Sequence, residues 1–192
     1  LLVPFVISFF ATLFLLPNWM ERAKRAKLTG KDMHKNSDEQ IPESGGVIVV
    51  ASFALGVLSY VAIKTFVFKS GENLVEILAL MSSVLLISFI AFTDDILGWK
   101  IGLRRRTRII LVAFSSIPLI AINAGRSLIN VPFFGQIDLG IIYPLIVIPL
   151  GIVGATTTFN FLAGFNGLEA GQGILLLVGA ALITFLTGNT WL

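Results

Sequence analysis

The sequence contains no cysteine and only one histidine, His34, among its 192 residues. Disulfide bonds, thiolate metal sites and histidine-rich metal centres are therefore excluded. Charged residues are also scarce, at 13% of the chain, whereas soluble domains contain about 25%. Because 56% of the residues are hydrophobic and long runs carry no charge, the sequence predicts an integral membrane protein.

Six apolar runs have the length of helices that cross a bilayer. The sequence thus predicts an all-α polytopic membrane protein, with a single membrane domain over residues 1–192. The first run has neither a basic leader nor a cleavage site, so it is read as a transmembrane helix. Pro118 is expected to kink the fourth run, and Asn130–Asp138 fits either a small hairpin or an interfacial loop. The predicted helices are about 1–20, 46–66, 74–93, 109–125, 139–161 and 170–188.

Basic residues are distributed unevenly among the loops between these runs. The first, third and fifth loops hold six, five and zero Lys or Arg residues, and the second and fourth hold two and one. Since cytoplasmic loops are enriched in Lys and Arg, the first and third loops are predicted to be cytoplasmic and the N-terminus to lie outside. Because successive spans alternate in direction, the segment Asn160–Gln172 is also predicted to be cytoplasmic. Three polar clusters are therefore expected to meet at one membrane face.

The most informative cluster is the acidic pair Asp94–Asp95, which ends the uncharged run Ile77–Phe92 and precedes five basic residues. Carboxylates at the edge of hydrocarbon are costly unless they serve a function. Mg²⁺ is commonly held by one or two carboxylates together with substrate phosphates, and arginine binds phosphate oxygens. The pair therefore indicates a metal and phosphate site. The simpler alternative is that the two acids only end a helix in water.

The other two clusters are Gly30–Gly46 (GKDMHKNSDEQIPESGG) and Asn160–Gly173 (NFLAGFNGLEAGQG). In the first, basic residues such as Lys35 can attract anionic lipid or a nucleotide diphosphate, or belong to a solvated loop. Glu43 stands between a proline and two glycines, as a helix cap or as a ligand-binding group. In Asn160–Gly173, two asparagine amides and Glu169 lie in a glycine-rich break, which exposes a helix N-terminus that favours anions.

In this order, the three clusters resemble the polyprenyl-phosphate N-acetylhexosamine-1-phosphate transferases of glycosyltransferase family 4. GKDMHKN…QIPESGG, DDILGWK, NFLAGFNGLEAGQ and the stretch IDLGIIYP are most similar to the eukaryotic and archaeal branch, which makes GlcNAc-diphosphodolichol. Bacterial relatives in cell-wall synthesis have an Asp-Gly-x-Asp-Gly core in place of AGFNGLEAG. The resemblance covers nearly the whole sequence.

The resemblance implies that dolichyl or another polyprenyl phosphate attacks the β-phosphate of UDP-GlcNAc and that UMP leaves. This is the first membrane step of N-glycan precursor synthesis, and it requires Mg²⁺, with Mn²⁺ as a substitute. Asp94 matches the catalytic first acid of the family, and Asp95 matches the second; both are expected to bind metal. Asn160 matches a further metal ligand and Asn166 an amide that contacts uracil. Glu43 matches an acid in the nucleotide-sugar pocket.

The family usually has a lysine just before the fourth helix that grips the diphosphate. Counting back from Pro118, Arg108 occupies that place, so the resemblance implies a catalytic role for Arg108 with changed geometry. Lys35 and Glu169 are expected to bind substrate. The family has about ten helices, with a further metal-binding Asp and a sugar-recognition loop beyond the sixth, so the sequence is expected to be a fragment.

Two other functions remain open from the sequence. A transporter or channel would also combine several helices with polar breaks, although the acids lie at a helix end rather than at the membrane midplane. The second alternative is the same phosphosugar transfer to a lipid phosphate, with UDP-GalNAc or another UDP-N-acetylhexosamine as the donor. The expected partners are UDP-GlcNAc, the lipid phosphate and the bilayer, without nucleic acid; a homodimer is left open. The active site is expected at the cytoplasmic face of the plasma membrane in a prokaryote, or of the endoplasmic reticulum in a eukaryote.

Overall fold

The computed structural model describes residues 2–31, 40–123, 127–131, 135–161 and 167–188. Within these ranges the chain forms helices and two antiparallel hairpins, β1–β2 and β3–β4. The helices are α1 (Leu2–Arg25), α2 (Gly46–Ala62), α3 (Leu74–Ile101), α4 (Arg105–Phe114), α5 (Ile117–Ile122), α6 (Ile148–Phe161) and α7 (Leu168–Thr187). The strands are β1 (Thr29–Lys31), β2 (Gln40–Pro42), β3 (Leu128–Val131) and β4 (Gly135–Asp138).

Five helical stretches of the described chain are long and apolar enough to cross a membrane. Short π-helical segments extend α2 at its C-terminal end and α6 at its N-terminal end. Large apolar side chains stay exposed, such as Phe14 at 68%, while the most deeply buried side chains are small, such as Ser52 at 0%. This arrangement suits a hydrocarbon solvent, in which small residues let helix backbones approach. The predicted all-α polytopic membrane class is confirmed. The five stretches are Leu2–Arg25, Gly46–Val67, Leu74–Leu97, Tyr143–Phe161 and Leu168–Thr187.

The fourth apolar run forms two helices, α4 and α5, instead of one continuous span. The break lies at Ser115 and Ser116, just before Pro118, whose ring nitrogen cannot donate to the carbonyl of Phe114. The two serine hydroxyls donate to the carbonyls of Val112 and Ala113 at 2.6 and 2.5 Å. The predicted single helix over 109–125, kinked at Pro118, is therefore wrong: the run is broken by a turn before Pro118.

The third helix extends beyond the end that the apolar pattern predicted. The prediction ended this helix at about Thr93, where the charge begins, but α3 continues to Ile101. Backbone hydrogen bonds of a helix do not depend on side-chain polarity, so the helix continues through the charged residues that follow the apolar run. Both acids therefore lie inside a helix, two turns before its end.

The chain divides into two compact units, Leu1–Pro118 and Leu119–Leu192, which are described separately. In the first unit, α1 packs closely on α2 at Gly56. A Cβ atom at Gly56 would lie 3.0 Å from both the Pro4 carbonyl oxygen and the Ser8 Cβ. Glycine is therefore required here because the two helix backbones approach closely, as small residues allow between membrane helices.

Replacing Gly56 with leucine is expected to push α1 away from α2 and to destabilise the first unit by about 1–3 kcal/mol, the usual cost of overpacking. Thermal unfolding of the detergent-solubilised protein measures this effect. The matched control is Gly151→Leu on α6, where no described atom lies within 4 Å of the added Cβ. Equal losses of stability for the two variants would contradict the close α1–α2 contact.

Two antiparallel hairpins lie between the helices. β1 and β2 pair with Gly30 opposite Ile41; the sequence had not predicted this hairpin. β3 and β4 pair with Leu128 opposite Asp138, which settles the open choice for Asn130–Asp138 in favour of a hairpin. Asp138 accepts hydrogen bonds from the Ser127 side chain and the Gly140 N–H, and these lower the pKa of its carboxyl group.

Candidate functional site

The acidic pair divides between two sets of partners because adjacent helix residues point about 100° apart. Asp94 faces the turn between α3 and α4, where its Oδ1 accepts the Leu103 N–H at 2.7 Å. Its Oδ2 accepts a hydrogen bond from the guanidinium of Arg108, with which it forms an ion pair. The Asp94 side chain is 16% exposed and that of Arg108 is 41% exposed. Asp94 therefore anchors the turn and sets the position of Arg108.

Arg108 retains hydrogen-bonding capacity beyond this ion pair. Its Nε atom is shielded from solvent and has no hydrogen-bond partner among the described residues. A guanidinium group carries five N–H donors in a fixed planar arrangement. Arg108 can thus neutralise Asp94 and still present donors to a second anion, which is the property expected of a phosphate-binding side chain.

Asp95 faces a different side, toward the start of α2. It forms a side-chain hydrogen bond with Ser44, and the charges of Asp94, Glu43 and Arg108 all act on its carboxylate. Ser44 has a φ angle of +58°, a conformation that residues other than Gly, Asn and Asp seldom adopt. Strained backbone of this kind is often found where function fixes a geometry. The turn at Ser44 thus brings Glu43 and Ser44 next to Asp95.

Glu43 is held at the end of the β1–β2 hairpin. Its N–H donates to the Leu28 carbonyl at 3.0 Å, and its carbonyl accepts the Trp19 Nε1–H at 3.3 Å. Its carboxylate packs over Gly30, in the space that a Cβ atom there would fill. Trp19 therefore tethers the segment that carries Glu43.

A groove of about 140 Å³ runs from this cluster between α2 and α3. Ser44 and Asp95 lie at its polar end, and the rest of its wall is mostly apolar. Ser88, in the same wall, lies seven residues before Asp95, which is about 10 Å along a helix. The acidic pair therefore stands at the border between a polar hairpin and an apolar groove in the membrane-spanning part of α3.

The predicted site residues are distributed over both units. The first unit brings together Asp94, Asp95, Arg108 and Glu43. In the second unit, Asn160 lies near the C-terminal end of α6, and Glu169 lies in the first turn of α7. Both side chains are exposed. Lys35 and Asn166 lie outside the described residues.

Three contributors to this cluster were not predicted from the sequence: Ser44, the Leu103 N–H and Gly30. Ser44 was visible only as part of the Pro-Glu-Ser stretch, because an αL backbone at a serine has no sequence signal. The Leu103 N–H becomes a partner of Asp94 only because α3 runs two turns further than its apolar pattern. Gly30 belongs to a hairpin whose strands are three residues long, too short for a recognisable alternation.

The donor atoms of the cluster suit a hard divalent cation. No group of three or more His, Cys, Asp or Glu residues able to hold a metal occurs in the part of the chain that the structure describes. Mg²⁺ does not need such a group, since it retains water ligands and binds through one or two carboxylates plus substrate phosphates. Each carboxylate offers about four lone-pair sites, so Asp94 keeps acceptor capacity beside Leu103 and Arg108.

The fold and this cluster define a polytopic membrane protein with an acidic and basic site at the end of its spanning helices. Residues 77–192 match the family described as Glycosyl transferase family 4. The chain belongs to that family.

Three curated relatives were also compared, and two of them match the chain over its whole length or nearly so. A protein of Saccharolobus solfataricus, provisionally named UDP-N-acetylglucosamine–dolichyl-phosphate N-acetylglucosaminephosphotransferase, is 37% identical over the full chain and 56% of its own length. A relative from Sulfolobus acidocaldarius with the same provisional name is 31% identical over 99% of the chain and 56% of its length. The Dictyostelium discoideum enzyme of that name is 33% identical over 84% of the chain and 42% of its length. The chain thus spans about half the length of these relatives.

Proposed function

We propose that the protein transfers GlcNAc-1-phosphate from UDP-GlcNAc to dolichyl or another polyprenyl phosphate, releasing UMP. The observation that carries this proposal is the meeting of Asp94, Asp95, Glu43 and Arg108 in a member of this family. Carboxylates for a divalent cation beside an arginine for phosphate are the parts that phosphoryl transfer requires. The names of the relatives supply the identity of the donor and acceptor.

In the proposed reaction, an oxygen of the lipid phosphate attacks the β-phosphorus of UDP-GlcNAc. The bond from that phosphorus to the bridging oxygen breaks, and UMP leaves with this oxygen and its electron pair. Mg²⁺, held by Asp94 and Asp95 with Asn160 as a further ligand, would supply charge neutralisation for the phosphates. Arg108 binds the diphosphate, and Glu43, Lys35, Asn166 and Glu169 bind the nucleotide sugar.

The position of the cluster supports a lipid acceptor. One reactant is a soluble nucleotide sugar, and the other has a phosphate at headgroup level and a tail in hydrocarbon. A site shared by these two must lie at a membrane interface. The cluster has this property, because polar hairpin residues adjoin it on one side and an apolar groove adjoins it on the other.

UMP release by the full-length protein in detergent tests the proposal. UMP should appear only when UDP-GlcNAc, dolichyl phosphate and Mg²⁺ are all present. Replacing UDP-GlcNAc with UDP-GalNAc tests the choice of sugar, and slower release is expected. A transporter would instead carry UDP-GlcNAc into sealed vesicles without any UMP, and that result would contradict the proposal.

The proposed site faces the cytoplasm, since the first and third loops hold eleven of the fourteen Lys and Arg residues. Single cysteines at Lys24 and Arg106 should therefore react with a membrane-impermeant maleimide only from the inside. A cysteine at Glu72, in the second loop, should react only from the outside and serves as the control. Residues 1–192 contain no cysteine, so no other thiol in this part of the protein competes for the label. Labelling of Arg106→Cys from outside would invert the assignment.

A further inference from the structure

We propose that Gly30 is a positioning residue for the Glu43 carboxylate, and through it for binding of the nucleotide sugar. This inference rests on the proposed function for its kinetic consequence. The carboxylate of Glu43 occupies the place where a side chain at residue 30 would begin. A Cβ atom at Gly30 would meet Glu43 Oε1 in a steric clash, and it would lie 3.1 Å from Cδ and 3.5 Å from Cγ.

The clash cannot be relieved by moving the backbone of Glu43, because that backbone is held at both of its polar groups. The Leu28 carbonyl accepts its N–H at 3.0 Å, and Trp19 Nε1 donates to its carbonyl at 3.3 Å. The strand register next to it, with Thr29 opposite Pro42, fixes the approach of the two chain segments. A methyl group at residue 30 must therefore displace the flexible end of the Glu43 side chain.

Displacing this carboxylate changes the charge distribution at the acidic pair. The charge of Glu43 acts on Asp95, whose carboxylate also forms a hydrogen bond with the next residue in the chain, Ser44. Glu43 and Ser44 thus connect the hairpin to α3. Gly30→Ala moves the Glu43 carboxylate without removing its charge, whereas Glu43→Ala removes the charge. Comparing the two variants therefore distinguishes the effect of the carboxylate's position from the effect of its presence.

Gly30 is well suited to this experiment because alanine fits its backbone. Gly30 lies in strand β1 and, unlike Gly135 or Gly167, is not among the glycines with positive φ. The atom that must move is the end of a flexible side chain, so the variant is expected to fold. Gly45→Ala is the matched control in the same polar segment, since its added Cβ would meet Leu16 Cδ1 at 3.6 Å, an ordinary contact.

The test is a double-mutant cycle in the full-length protein with Gly30→Ala, Glu43→Ala and the double variant. Glu43→Ala should raise the KM for UDP-GlcNAc about tenfold, the scale for loss of a charged hydrogen-bond partner. Gly30→Ala should raise the same KM several-fold and leave the KM for dolichyl phosphate unchanged. The control Gly45→Ala should leave the KM values for both substrates unchanged. In the double variant, Gly30→Ala should add nothing, because the atoms it displaces are absent; residues in contact show such non-additivity.

An equal fold-increase from Gly30→Ala in both backgrounds would overturn the inference, and so would no effect in the wild-type background. The Tm provides a readout apart from activity: if Gly30→Ala lowers it, Glu43→Ala should restore it, and a failure to restore it would also contradict the contact. The wild-type protein is assayed alongside. Its inability to release UMP would refute the proposed function, whereas an active wild type with an additive cycle would refute only the role of Gly30.

Discussion

Asp94→Asn in the full-length protein is expected to lower the turnover of UDP-GlcNAc at least about a hundredfold while the protein stays folded. The scale is that of a lost catalytic charge or acid–base group. Asparagine retains an oxygen that can accept the Leu103 N–H, which Asp94 now accepts at 2.7 Å. The α3–α4 turn should therefore persist. The variant loses the negative charge that would bind the cation and, because Nδ2 replaces Oδ2, the acceptor of the Arg108 hydrogen bond.

The measurement is kcat from UMP release, together with thermal unfolding and gel filtration in detergent. Glu72→Gln is the control, since it removes a carboxylate from an exposed position in the loop before α3. Its kcat should equal that of the wild type. Near-normal turnover of Asp94→Asn would rule out a catalytic role and would leave Asp94 as the residue that anchors the turn.

Arg108→Ala is expected to lower kcat/KM for UDP-GlcNAc about ten- to hundredfold, the equivalent of a charged hydrogen bond to the diphosphate. The change also leaves Asp94, 16% exposed, without its cationic partner. Because the Arg108 side chain is 41% exposed, the pair is screened by solvent, and the loss of stability should be modest. Arg108→Lys should retain an intermediate activity, since lysine also binds phosphate but as a point charge.

Arg106→Ala provides the comparison on the same helix. Arg106 is exposed in the first turn of α4, and its removal should change kcat/KM little. Equal, small effects at residues 106 and 108 would mean that the basic cluster serves topology alone. Equal, large effects would mean that the phosphate site is broader than the Asp94–Arg108 pair.

The sequence was sufficient for the membrane class because hydrocarbon imposes a simple length rule on apolar runs. The same pattern misjudged where helices end. It stopped α3 at the first charges, although helix hydrogen bonds continued to Ile101. It read the fourth run as one kinked helix, whereas a turn separates α4 from α5. The length of an apolar run indicates which residues lie in hydrocarbon, whereas backbone hydrogen bonding decides where a helix ends.

The candidate site was predictable to the extent that its residues stand in short motifs. Asp94 and Asp95 are adjacent, and Glu43 lies in a distinctive Pro-Glu-Ser stretch. The ion pair of Asp94 with Arg108 could be placed only in three dimensions, because it depends on how α4 folds back on α3. The roles of Ser44 and Gly30 also depend on local backbone geometry, an αL serine and a three-residue strand, which residue identity does not specify.

The fate of the β-phosphate of UDP-GlcNAc tests the central claim most directly. The full-length protein is incubated in detergent with Mg²⁺, dolichyl phosphate and UDP-GlcNAc that carries ³²P in the β-phosphate and ³H in the sugar. The proposed reaction predicts that both labels pass together into the lipid product and that the released nucleotide is unlabelled UMP. Transfer of ³H to lipid with ³²P left in UDP would show sugar transfer instead of phosphosugar transfer, and it would contradict the reaction assigned to this site.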